Sequence, residues 1–134
     1  MIKQFIMAIA IIFITALFAF AADDDFSRAD KNKDNEISKP EYLDAVTVAF
    51  DKYDKNKDSF LARNELRNIY KIDVEKFIKE TDKDNDGKIS KREILEAAEK
   101  RFSTLDKNKD DFISRKEWLD GRKQNDPMLV LFRF

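Results

Sequence analysis

The chain of 134 residues contains no cysteine and no histidine. The first absence removes disulfides, thiol nucleophiles and thiolate metal sites. The second removes Ser/His and Cys/His catalysis and, with the first, the usual zinc sites. Any metal must then be held by oxygen. Strong breakers are also scarce, with two glycines and two prolines, so the chain should be largely helical. Neither sign of charge dominates, 26 Lys plus Arg facing 27 Asp plus Glu. No overall field therefore draws nucleic acid or an anionic membrane, and no nucleic-acid partner is expected. What remains is a chain that is 40% charged and 43% hydrophobic, enough for one small domain or two very small lobes sharing a core.

The N-terminus is a separate object. Lys3 precedes an apolar run from Phe5 to Phe20, and Ala19 and Ala21 stand at the −3 and −1 positions of a cut before Ala22. That is the pattern of a secretory signal peptide over residues 1–21. The acidic stretch Asp23-Asp24-Asp25 follows at once. The alternative is an uncleaved anchor, since Phe5 to Ala22 is 18 residues long and a spanning helix needs roughly 17–25. Only in that case would the protein contact a membrane here. Either way the remainder is exported, to the periplasm or beyond the cell.

Four twelve-residue segments superimpose without a gap: DKNKDNEISKPE from Asp30 to Glu41, DKNKDSFLARNE from Asp54 to Glu65, DKDNDGKISKRE from Asp82 to Glu93, and DKNKDDFISRKE from Asp106 to Glu117. Each has Asp at position 1, Asn or Asp at 3, Asp at 5, an aliphatic residue at 8 and Glu at 12. Calcium is a hard cation that takes six to eight oxygens at about 2.3–2.6 Å, and a tightly wound loop turns side chains 1, 3 and 5 inward. Position 7 offers a backbone carbonyl, position 9 often acts through water, and Glu at 12 reaches back with both oxygens.

With these motifs the chain resembles the EF-hand family from about Phe26 to Leu119, and small exported EF-hand proteins of bacteria in particular. The resemblance implies an all-α fold of four helix-loop-helix motifs over residues 22–122, to which the short loop spacing adds shared connecting helices. It implies up to four calcium ions. Its side-chain ligands would be Asp30, Asn32, Asp34 and Glu41; Asp54, Asn56, Asp58 and Glu65; Asp82, Asp84, Asp86 and Glu93; and Asp106, Asn108, Asp110 and Glu117. Glu36, Phe60, Lys88 and Phe112 would give their carbonyls.

The loops are not equal. Position 6 turns sharply and is Gly in the family pattern, but only Gly87 conforms; Asn35 and Asp111 tolerate positive φ better than Ser59. The third loop alone has four carboxylates, and the second alone has Ala62 at position 9. The expected order of affinity is third, then first and fourth, then second. Ser38, Ser90 and Ser114 begin S-x-x-E capping boxes. Pro40 then falls in a first helical turn.

Apolar residues between loops recur at helical spacing, and Phe26, Phe50, Ile78 and Phe102 each stand four residues before a loop's first Asp. Their plain role is a shared core. Loop starts lie 24, 28 and 24 residues apart, a two-loop unit repeated at 52 residues. Only Tyr42 to Tyr53 separates the first two loops, which suggests one shared helix. Loops at opposite ends of one helix cannot pair. The expected pairs are first with third and second with fourth, or the middle two if segment 66–81 bends near Ile72-Asp73.

The end of the chain, an apolar tail within residues 123–134, is expected to pack into the protein's own cleft, or else to dock a partner or membrane. The functional expectation is an exported calcium sensor or buffer that exposes apolar surface to a protein partner on binding. The alternative is a calcium-stabilised structural or adhesion module. No enzyme is expected, because the repeated carboxylates are spent as ligands.

Overall fold

The computed structural model describes residues 24–124 and 126–132; the expected leader at 1–21 lies outside them. The chain runs α1 (Asp24–Ala29), β1 (Glu36–Ser38), α2 (Lys39–Tyr53), β2 (Phe60–Leu61), α3 (Arg63–Leu66), α4 (Val74–Thr81), β3 (Ile89–Ser90), α5 (Lys91–Leu105), β4 (Phe112–Ser114), α6 (Arg115–Lys123) and α7 (Pro127–Val130). It is mostly helical, as expected. No described helix is long and apolar enough to cross a membrane.

The first and second loops share α2, and the third and fourth share α5. These two helices have 15 residues each and occupy matching places in the repeated unit. Serine starts three helices: the hydroxyls of Ser38, Ser90 and Ser114 accept from the backbone N–H of Glu41, Glu93 and Glu117 at 3.5, 3.2 and 3.3 Å. Pro40 lies in the first turn of α2, where a missing N–H costs little. After Ala62, which has no side-chain cap, α3 runs only four residues.

Helices entering the loops end alike. The backbone N–H of Asp30, Asp54, Asp82 and Asp106 donates to the carbonyl of Phe26, Phe50, Ile78 and Phe102 at 2.8–2.9 Å. All four of those apolar side chains are buried. One bond thus fixes the first loop aspartate directly above a core residue.

The core is built on α2 packed against α5. Lys91 pairs with Asp51 at 2.9 Å at one end and Lys39 with Glu99 at 4.0 Å at the other, so the helices are antiparallel. Exposed pairs of this kind contribute ~0–1 kcal/mol but they report direction. Each helix carries a loop at each end. Parallel packing would bring together loops 1 and 3, and 2 and 4; antiparallel packing brings together 1 and 4, and 2 and 3.

The pairing expected first is therefore corrected, and the alternative for the middle loops holds. β1 pairs antiparallel with β4, Ile37 opposite Ile113, and β2 with β3, Leu61 opposite Ile89. The reason is the connection between the halves. After α3 the chain reverses through Lys71, at φ 61, and Asp73 caps α4 by accepting from Lys76 N–H at 3.1 Å. The turn thus falls just before Ile72-Asp73, near the place expected, and α4 follows at once. Exchanging the two halves maps one strand pair onto the other, which makes the fold an internal pseudo-dyad.

The tail closes one side. Met128, Leu129, Val130, Leu131 and Phe132 are all buried, as the first of the two expectations for it required. A fully buried side chain of this size stabilises by ~1.5–3 kcal/mol.

Candidate metal centre

Each loop is wound by two left-handed residues. Position 4 is Lys33, Lys57, Asn85 or Lys109 at φ 59–61, and position 6 is Asn35, Ser59, Gly87 or Asp111 at φ 67–82. For residues other than Gly the left-handed region costs roughly 1–2 kcal/mol. Ser59 bears this with neither the freedom of Gly nor the tolerance of Asn and Asp.

This winding turns backbone N–H groups onto the first and last carboxylates. Asp30 Oδ1 accepts from Asp34 N–H at 3.2 Å and Oδ2 from Asn35 N–H at 2.9 Å. Asp54 and Asp106 repeat the pattern with Asp58 and Ser59, and with Asp110 and Asp111. In the third loop Asp82 takes Asn85 and Gly87 N–H instead. From the far end, Glu41 Oε1 accepts from Lys31 and Asn32 N–H at 3.1 Å each, while Oε2 accepts from Ser38 N–H at 2.9 Å and its hydroxyl at 2.7 Å. Glu93 and Glu117 do likewise. Glu65 takes Lys55, Asn56 and Ala62 N–H.

Every loop thus has its last carboxylate folded back inside it. Burial pushes the Glu41, Glu93 and Glu117 carboxyls up, but the serine hydroxyl and the backbone N–H groups outweigh it and hold each below the ordinary glutamate value. They are poised as anions.

The remaining candidates sit at the rim. Asn32, Asn56 and Asn108 donate from their amides to Asp34, Asp58 and Asp110 at 2.8–3.0 Å. Those third- and fifth-position side chains are exposed, as are Asp84 and Asp86. Glu36, Phe60, Lys88 and Phe112 donate N–H to the fifth-position aspartate, leaving their side chains outside the turn. Among the described residues, three carboxylates converge in two loops: Asp54, Asp58 and Glu65, and Asp82, Asp84 and Asp86, with ligand atoms within 4.8 Å of one another. The second loop, ranked last from its sequence, is one of them.

Two features escaped the sequence reading. Arg63, at position 10 of the second loop, donates to the Gly87 carbonyl of the third at 3.3 Å and pairs with Glu75 at 3.1 Å. It also lies close to the place a Cβ on Gly87 would occupy, 3.1 Å from it. No local pattern marks it, since the contact exists only through loop pairing. The second feature, a ring cluster behind loops 1 and 4, had a visible signal: an aromatic residue directly after the last glutamate of each, Tyr42 and Trp118.

The family pattern for the calcium-binding region of secreted protein acidic and rich in cysteine matches residues 21–97, more than half of the chain. The chain belongs to this family. The match begins beside the expected leader cut and ends before the fourth loop, and the chain has none of the cysteine in the family's title. A search of curated proteins finds no match. The donor set fits the family's ion: every converging side-chain donor is oxygen, and three carboxylates meet at each of two loops.

Proposed function

We propose that the chain is an exported calcium-binding protein of the EF-hand type with four sites, working as a calcium sensor or buffer. The observation that carries this is the convergence of Asp54, Asp58 and Glu65, and of Asp82, Asp84 and Asp86, within 4.8 Å in adjacent paired loops. Asp30, Asn32, Asp34 and Glu41, and Asp106, Asn108, Asp110 and Glu117, would hold the ions of the other two. Glu36, Phe60, Lys88 and Phe112 would add backbone carbonyls. Calcium supplies a divalent charge that offsets the repulsion among these carboxylates.

Pairing supports cooperative use of the loops, since Ile37 lies against Ile113 and Leu61 against Ile89. A protein partner would meet apolar surface uncovered on binding. A calcium-stabilised interaction module is the second reading, favoured by the buried tail that closes the fold. No catalytic role is proposed for the carboxylates, which the loops use up as ligands.

Calorimetric titration of residues 22–134 with calcium and then magnesium, followed by Trp118 fluorescence and binding of an apolar dye, separates the readings. A sensor gives affinities of about 10⁻⁷–10⁻⁵ M with a conformational change; an extracellular module gives about 10⁻⁴–10⁻³ M without one. No calcium heat at all would reject both.

A further inference from the structure

We infer that the C-terminal segment, through Phe132, is a positioning element for the outer pair of loops, the first and fourth, and raises their calcium affinity. The inference rests on the calcium reading above. It begins with the residue after the last glutamate of each loop: Tyr42, Leu66, Ile94 and Trp118. Loops 1 and 4 have an aromatic ring there, loops 2 and 3 an aliphatic side chain. Antiparallel pairing of β1 and β4 brings the two rings together, with centroids 6.5 Å apart.

Phe132 joins them. Its ring centroid lies 5.8 Å from that of Tyr42 and 5.3 Å from that of Trp118. The tail thereby bridges the first turns of α2 and α6, the turns that carry Glu41 and Glu117. Neighbouring residues on a helix turn together, so holding the Tyr42 and Trp118 rings fixes the direction in which Glu41 and Glu117 point. Both carboxylates are directed back into their loops, onto the N–H groups of Lys31 and Asn32 and of Lys107 and Asn108.

The tail is itself tied down. Asp126 is buried, forms an ion pair with Arg101 of α5, and accepts from Met128 N–H at 2.9 Å. The arrangement also carries a cost. Tyr42 Oη and Trp118 Nε1 are buried with no hydrogen-bond partner among the described residues, at about 1–3 kcal/mol each. Leu66 and Ile94 show that an aliphatic pair serves the inner loops without that cost. What the rings add is a rigid surface that a third ring can lock.

The test uses the full mature chain in two backgrounds, one with loops 2 and 3 silenced by Glu65→Gln and Glu93→Gln, the other with loops 1 and 4 silenced by Glu41→Gln and Glu117→Gln. In the first, Phe132→Ala lowers calcium affinity about tenfold, the low end of what loss of a supporting shell costs a metal site; Phe132→Leu recovers part of it. In the second, neither changes affinity. Asp126→Asn, which weakens the tether and leaves the rings intact, shifts the same pair in the same direction and serves if Phe132→Ala does not fold.

Linkage requires the reverse effect by the same factor: calcium slows hydrogen exchange at Val130 to Phe132 in the first background and not in the second. Lowered melting temperature with unchanged affinities, or equal loss in both pairs, would overturn the inference. Absence of calcium binding in the unmutated chain would instead reject the calcium reading itself.

Discussion

The outer loops, first and fourth, and the inner loops, second and third, share one twelve-residue pattern but stand on different scaffolds. The outer pair has a three-residue ladder, two serine-capped exit helices, and the Tyr42, Trp118 and Phe132 rings behind it. The inner pair has a two-residue ladder, an exit helix of four residues after Ala62, and an exposed Arg63 bridge to Gly87. Yet the three-carboxylate clusters lie in the inner pair. The ring cluster thus stands at one end of α2 and α5 and the converging carboxylates at the other. Both ends are packed, the inner one through Leu61, Leu66, Phe77, Ile89 and Ile94, and the expectation is that calcium stabilises the inner end more than the outer.

Four tests probe that division, beginning with the largest effect. Trp118→Ala empties the centre of the outer ring cluster and should cost about 3–5 kcal/mol in urea unfolding without calcium. Leu66→Ala, the matching change at the inner end, should cost less because α3 is so short. An equal or larger loss there would mean the inner end is as firmly built. Calcium loading is expected next: at 100-fold excess over Kd each site adds about 2.7 kcal/mol. Hydrogen exchange should show the larger gain in protection at α3 and α4, not at α2 and α6.

Much of this was legible beforehand. The loops, their capping serines, the shared helices and the bend near Ile72-Asp73 are local features, set by ligand spacing, caps and turn residues. The buried Phe26, Phe50, Ile78 and Phe102 followed from helical period. Which loops pair did not, because that depends on whether α2 and α5 run parallel or antiparallel, and the contacts that reveal it, Lys91 with Asp51 and Lys39 with Glu99, are long-range. Arg63 was hidden for the same reason. The aromatic residues after Glu41 and Glu117 were in view, but their meaning needed the third ring, Phe132.

Backbone strain gives a smaller effect, confined to the inner pair. Gly87 has φ 82 and Arg63 Nη1 lies 3.1 Å from where a Cβ would stand. Gly87→Ala should destabilise by about 1–2 kcal/mol, and Arg63→Ala should relieve part of that by removing the close contact. Ser59→Gly, at φ 67, should stabilise by up to about 1 kcal/mol, since relief of the left-handed strain is partly offset by the greater freedom of Gly in the unfolded chain. Thermal unfolding without calcium measures both, and a Ser59→Gly variant less stable than the parent would show that the loop does not strain this residue.

The smallest effect tests why α3 is short. Ala62 is extended, at φ −84 and ψ 165, in the same conformation as the capping Ser38, Ser90 and Ser114, and its N–H already bonds to Glu65 at 3.0 Å. Only the hydroxyl is missing. Ala62→Ser should therefore cap α3 and stabilise the chain by about 0.5–1 kcal/mol, with slower exchange at Glu65 and Leu66 N–H. If exchange there is unchanged, α3 ends early because of the turn through Lys71 that leads to α4, and the weakness of the inner scaffold lies in the connection between the halves.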